Sequence, residues 1–255
     1  MADLIYMTKA AWTAITDTVR SKAGLTGLLK AGEIPNALNG LFGISALLDG
    51  SGVTRISSPT VASIRPSCCG NFKSLKEVDI PAAKTITQNA FDGCTSLTRL
   101  NAPKATYIYQ SAFANGPAIK NLTLPKAESI QQYAFELQPS YQTAPATLQD
   151  LGKLTLGNIR YIGAMAFDLC GYSEVDITVN ANGGSIAIQA FNRCLNLKKV
   201  TIRGKTMLKN EEGFVFSGSP IESLNGEIFV DASLVESYKT ATNWSNYASI
   251  IKAIS

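Results

Sequence analysis

Two pairs of carboxylates recur at i, i+2 spacing: Glu77 and Asp79 in Glu77-Val-Asp-Ile80, and Glu174 and Asp176 in Glu174-Val-Asp-Ile177. On a strand, residues two apart project to one side, ~7 Å from each other. Carboxylates at that separation suit glycoside hydrolysis or a divalent cation. The groups such chemistry would recruit are missing. The chain has no histidine, which excludes Ser-His-Asp and Cys-His catalysis and every imidazole-ligated zinc site. No phosphate loop or dinucleotide motif is present. One outward position followed from copy to copy gives Glu77, Arg99, Asn121, Lys153, Glu174 and Lys199. Acids thus lie beside bases or amides, the pattern of a solvated strand face. The five cysteines (Cys68, Cys69, Cys94, Cys170, Cys194) form no C-x-x-C pair, and adjacent Cys68 and Cys69 make a poor disulfide and a poor metal site. They read as buried thiols. The expectation is a protein with no enzymatic activity, no cofactor and no metal, acting through its surface.

The elements that build that surface are set by a repeat. The phrase Ile-x-x-x-Ala-Phe occurs at Ile86, Ile108, Ile130, Ile162 and Ile186, after a degenerate copy at Ile64 with Cys68-Cys69 in the Ala-Phe slots. Successive copies lie 22, 22, 22, 32 and 24 residues apart. Cys94, Cys170 and Cys194 share the slot three residues after Phe, and a Leu-x-x-Leu/Val-x-Leu/Ile phrase follows. In Val78-Asp-Ile80, Leu122-Thr-Leu124, Leu154-Thr-Leu156, Val175-Asp-Ile177 and Val200-Thr-Ile202 the apolar residues alternate with period two, as in a strand with one face buried. A strand this short cannot bury its apolar side alone, so each copy must stack on the next. The reading is a solenoid of about six or seven coils over 53–230, with one short parallel sheet and a spine of Phe91, Phe113, Phe135, Phe167 and Phe191.

This phrase resembles the leucine-rich repeats of the BspA-like (Treponema-type) bacterial and phage surface family. The resemblance implies an α+β leucine-rich repeat solenoid of ~22-residue period. The ending from Phe229 through Trp244 is similar to the C-terminal cap of such arrays, with Asp231 where the family usually has Pro. Two apolar faces in this ending, Leu234/Val235/Tyr238/Ala241 and Trp244/Tyr247/Ile250/Ile251/Ile254, read as two helices covering the last coil. The domains expected are 1–50 (helical attachment or capping module), 51–230 (repeat array) and 231–255 (C-terminal helical cap).

Near the N-terminus, Trp12, Ile15 and Val19 share one helical face and Gly24 ends the helix. A second short helix fits 33–41. The pattern Trp-x-x-Ile-x-Asp-x-Val-Arg-x-Lys-x-Gly, followed by Ile-Pro-x-x-Leu-x-x-Leu, resembles the N-terminal helical module of phage tail and fibre proteins. That implies a virion component made in the host cytoplasm, a tail-tip, fibre or receptor-binding protein that contacts other virion proteins or itself and a host surface protein or glycan. The other reading is a bacterial cell-surface adhesin. No apolar core precedes a small-residue cleavage site, which weighs against export. No run reaches the ~18 apolar residues of a membrane helix. The 23 Lys+Arg against 19 Asp+Glu are scattered, so nucleic acid is not an expected partner.

The first candidate contact residues follow from the longest spacing, that of 32. Ten extra residues between Phe135 and Phe167 must leave the coil as a surface loop. Tyr141 in that loop is a candidate for sugar or protein contact, with Tyr133, Tyr109, Tyr107 and Tyr161 near it in repeat register. Arg99, Asn121 and Lys153 on the strand face are the second candidate group. Trp12, Ile15 and Val19 are the candidate assembly interface.

Overall fold

The computed structural model describes residues 53–116, 119–137, 148–210 and 212–255. The N-terminal module, with Trp12, Ile15 and Val19, and the loop residue Tyr141 lie outside the described residues.

Each copy of the repeat makes two short strands, because the chain has two places per coil where an apolar residue points inward between outward ones. The Leu/Val phrase forms β1 (Arg55–Ser57), β3 (Glu77–Asp79), β5 (Arg99–Asn101), β7 (Thr123–Leu124), β9 (Lys153–Ile159), β11 (Glu174–Val179), β13 (Lys199–Arg203) and β15 (Glu227–Val230). The residue pair ending in the repeat isoleucine forms β2 (Ser63–Ile64), β4 (Thr85–Ile86), β6 (Tyr107–Ile108), β8 (Ser129–Ile130), β10 (Tyr161–Ile162) and β12 (Gly184–Ile186), and β14 (Leu208–Asn210) continues the series. All pairings are parallel, with a register shift between Ile177 and Val179 where β11 pairs with β9; in the second series Ile64, Ile86, Ile108, Ile130, Ile162 and Ile186 stack in one inward column. The single sheet expected from sequence is therefore corrected to two faces. One is a continuous seven-stranded sheet, and the other is a ladder divided into three and six strands. The count is also larger, about eight turns, because the array runs beyond Phe191. Asn210 aligns with Ile186, and Phe216 stacks on Phe191 at 6.0 Å.

Between the two sheets runs the spine. Phe91, Phe113, Phe135, Phe167 and Phe191 stack with centroids 4.9–5.2 Å apart and planes within 12°. That repeat is close to the ~4.8 Å strand spacing: each coil carries one ring, and the backbone sets the stack. Corners tight enough to hold it need left-handed backbone. The residue before each Ala-Phe (Asn89, Ser111, Tyr133, Met165, Gln189) has φ of 52–58°, an uncommon conformation without glycine. Hydrogen bonds between coils hold it: Phe113 N donates to Ala134 O and Phe135 N to Ala166 O, both at 2.8 Å. Cys69 occupies the phenylalanine slot of the first coil, its N–H donating to Ala90 O. The thiols of Cys94, Cys170 and Cys194 donate to the carbonyls of Cys69, Phe135 and Phe167. All three are reduced and buried, as expected.

The cap departs from expectation in one element. Helix α1 (Val235–Thr240) forms, after a turn in which Asp231 accepts from Ser233 N. The second apolar face is not a helix. Ser245–Ile250 makes tight helical turns, and Ile251–Ala253 forms β16, which pairs with β15 and extends the ladder. Two consecutive β-branched residues beside an unpaired edge favour a strand. The cap also satisfies the free edge of β14: Trp244 Nε1 donates to Leu208 O and Leu208 N donates to Tyr238 Oη, both at 2.7 Å. Buried main-chain groups need such partners. Among the described residues, no helix is long and apolar enough to cross a membrane.

Candidate functional site

Inward positions are filled by the spine and its flanking isoleucines and leucines, so chemistry is confined to the two outward faces. On the seven-stranded face one outward column reads Ser63, Thr85, Tyr107, Ser129, Tyr161, Ser185 and Lys209. Tyr107 is 45% exposed and Tyr161 40%. Ser129 lies between them. The neighbouring outward column carries Tyr109, Gln131 and Gly163, placed in register by N–H bonds to Ile86 O, Ile108 O and Ile130 O. Gly163 has no space for a side chain, since a Cβ would lie 2.5 Å from Gln132 N. Three of the five exposed large hydrophobic residues among those described sit on this one face. Just upstream of the Ser129 and Tyr161 strands, Glu128 and Arg160 pair at 3.3 Å, and Asn158 donates to Glu128 at 3.0 Å.

The other face separates the second candidate group. β5 and β7 are not paired, and a groove of about 330 Å³ opens there between Arg99, Asn101, Asn121 and Thr123. Two features account for the break. Ala102 stands where neighbouring coils have Ile80 and Leu124, and Asn121 is left-handed at φ 49°. Asn121 turns toward β9, its N–H donating to Leu151 O while its Oδ1 accepts from Lys153 N. Arg99 and Asn121 thus face each other across the groove. Lys153 does not join them; its ammonium is held 2.8 Å from Asp176.

The carboxylate pairs are engaged in the face itself. Asp79 accepts from Asn101 at 2.7 Å and from Ser57 and Arg55 at 3.3 Å; these bonds, that of Asn101 foremost, hold it below the usual carboxylate range. Burial works against ionisation of Asp176, but hydrogen bonds from Arg203 and Lys153 outweigh it and its pKa is also lowered. Carboxyls held ionised in this way are poor general acids near neutral pH. Among the described residues, no group of three or more His, Cys, Asp or Glu is arranged to hold a metal.

Of the sequence-derived tyrosines, Tyr109 lies on the seven-stranded face beside Tyr107 and Tyr161. Tyr133 does not: it occupies the left-handed corner position at φ 58° and is half-buried. The sequence reading centred the patch on Tyr141 and treated Tyr107 and Tyr161 as its fringe. What it missed was that the Tyr-Ile pairs at 107–108 and 161–162 are themselves strands, which puts both phenols in one outward column.

No curated protein matches the chain. Among solved structures, a leucine-rich repeat protein from Bacteroides ovatus ATCC 8483 is similar over 84% of this chain and 87% of its own, at 15% identity and a TM-score of 0.25. The family model for the BspA type leucine rich repeat region matches in six copies, over residues 62–153 and 142–238. With the match spanning most of the array just described, the chain belongs to the BspA-type leucine-rich repeat family.

Proposed function

We infer that the protein is a non-enzymatic recognition module whose repeat array offers its tyrosine-bearing sheet to a partner on a surface. The observation that carries this reading is the clustering of Tyr107, Tyr109 and Tyr161 on one rigid outward face. Tyrosine supplies amphipathic contact area at low entropic cost, and a pre-ordered backbone lowers the cost of binding further. A repeat scaffold also spreads contacts over an extended surface. The carrier is a phage particle, with residues 1–50 attaching the array to the virion and the array contacting the host. The support is the resemblance of residues 8–41 to tail and fibre modules. The family match favours the second carrier, a bacterial cell surface on which the same face acts as an adhesin.

Two measurements separate these statements. Labelled protein should adhere to bacterial cells, and Tyr107→Ala/Tyr161→Ala should lose that adhesion at least tenfold while keeping its melting temperature. Undiminished adhesion would remove the tyrosine face as the site. Deleting residues 1–50 should leave adhesion intact and abolish incorporation into particles; a truncated protein still incorporated would remove the attachment role.

A further inference from the structure

Tyr107 and Tyr161 each have a small residue on both sides in their column: Thr85 and Ser129 for the first, Ser129 and Ser185 for the second. Neighbouring strands lie ~4.8 Å apart, so the two backbones stand about 9.6 Å from each other. Neither phenol makes a ring contact with another described residue, and in their own column only Ser129 stands between them. A ring held between two others needs ~3.5–4.0 Å to each, about 7–8 Å in all. The phenols need to lean together by only about 2 Å to close on one ring.

The chemistry of the slot selects the ring. Its walls are apolar, and its floor is the Ser129 hydroxyl. In the adjacent column Gln131 offers an amide, placed beside Ser129 by its N–H bond to Ile108 O. At the upstream end the Glu128–Arg160 pair, buttressed by Asn158, presents a fixed donor and acceptor with no net charge. Among the described residues, no exposed Leu, Ile, Val or Phe lies on this face; the other exposed large hydrophobics are Phe214 and Leu224. The core of a protein interface needs contiguous apolar area around its aromatic anchors, whereas apolar walls edged by hydroxyl, amide and a neutral ion pair match a sugar. A pyranose has C–H groups on its faces and hydroxyls round its edge. The geometry points to Tyr107–Ser129–Tyr161 as a slot for one neutral pyranose residue of a surface glycan. Its C–H faces lie against the phenols, and its hydroxyls reach Ser129, Gln131 and the Glu128–Arg160 pair. This assignment rests on the tyrosine face being the binding surface.

The test uses the full chain and bacteria to which it adheres. Periodate, which cleaves vicinal diols, should abolish adhesion; protease treatment of the cells should leave it. Neutral polysaccharide extracted from those cells should bind in isothermal titration and compete with the cells. Ser129→Leu fills the slot while both tyrosines remain in place and should weaken binding at least tenfold with an unchanged melting temperature. Ser129→Ala keeps the slot open and should retain binding within about threefold. Adhesion that survives periodate and is lost to protease, together with loss in Tyr107→Ala/Tyr161→Ala, would overturn the sugar assignment and leave the face as a protein-binding surface. Wild-type binding by Ser129→Leu would overturn the slot. Wild-type binding by the double tyrosine variant would overturn both the slot and the function it rests on.

Discussion

Replacing Phe113 by alanine removes one ring from the middle of the spine. Phe113 is fully buried between Phe91, 5.2 Å away, and Phe135, 4.9 Å away. Truncating a core phenylalanine costs about 3–5 kcal/mol. The two stacked contacts account for roughly 0.5–1.5 kcal/mol each, so lost burial and the cavity supply most of the rest. The cavity cannot collapse easily, because the corners on both sides are tied by main-chain hydrogen bonds to the next coils. For a chain of this size each kcal/mol moves the melting temperature by roughly 2–4 °C, which gives a drop of about 6–20 °C. Thermal and urea denaturation followed by circular dichroism would measure it. Tyr107→Ala is the control: it lies on the same coil but points outward, and it should stay within about 0.5 kcal/mol. A drop below about 2 °C for Phe113→Ala, or equal drops for the two variants, would refute the assignment of the phenylalanines as the element that holds the coils together.

Burial pushes the Cys94 thiol up to about 12 and also raises Cys170 and Cys194; all three should resist maleimide labelling in the native protein and react after unfolding. Arg193 pairs with the fully buried carboxylate of Asp168, so Arg193→Ala should destabilise by roughly 3–5 kcal/mol in urea titrations, because it leaves that charge without its cation. Asp176 has a lowered folded-state pKa; its contribution is present above the unfolded value of ~3.9 and is lost as pH falls through the lower folded value. Asp176→Asn should therefore lower the urea midpoint at pH 7, and the gap to wild type should close as pH is taken down below ~3.9.

The spine was legible in sequence because Ile, Phe, Cys and Leu recur at fixed offsets, and a period of that kind has only one stacking solution. The second sheet was not legible. β6 and β8 are two residues long, too short for alternation to register, and only the in-register stacking of successive isoleucines makes strands of them. The coil at Asn210 was hidden because an asparagine fills the isoleucine slot and the route to Phe216 is one residue longer. In that slot the Asn210 Oδ1 accepts from Gly213 N and the Asn210 carbonyl accepts from Asn243. The last strand was misread as a helix because Trp244, Tyr247, Ile250, Ile251 and Ile254 fit a helical stripe as well as a cap, and the free edge of β15 decides between them. At the candidate site, Arg99 and Asn121 emerged from reading the outward column across copies. The break that sets them on opposite walls of a groove depends on Ala102 and on the backbone of Asn121, and neither carries a pattern.

The central claim is that binding takes place on the tyrosine-bearing sheet. Hydroxyl-radical footprinting of the protein, free and bound to the cell-surface polysaccharide described above, tests this most directly. The account predicts protection from oxidation at Tyr107, Tyr109 and Tyr161 on binding, with no change at Phe229 on the opposite ladder or at Phe214. Protection at Phe229 or Phe214 with the three tyrosines unchanged would contradict it.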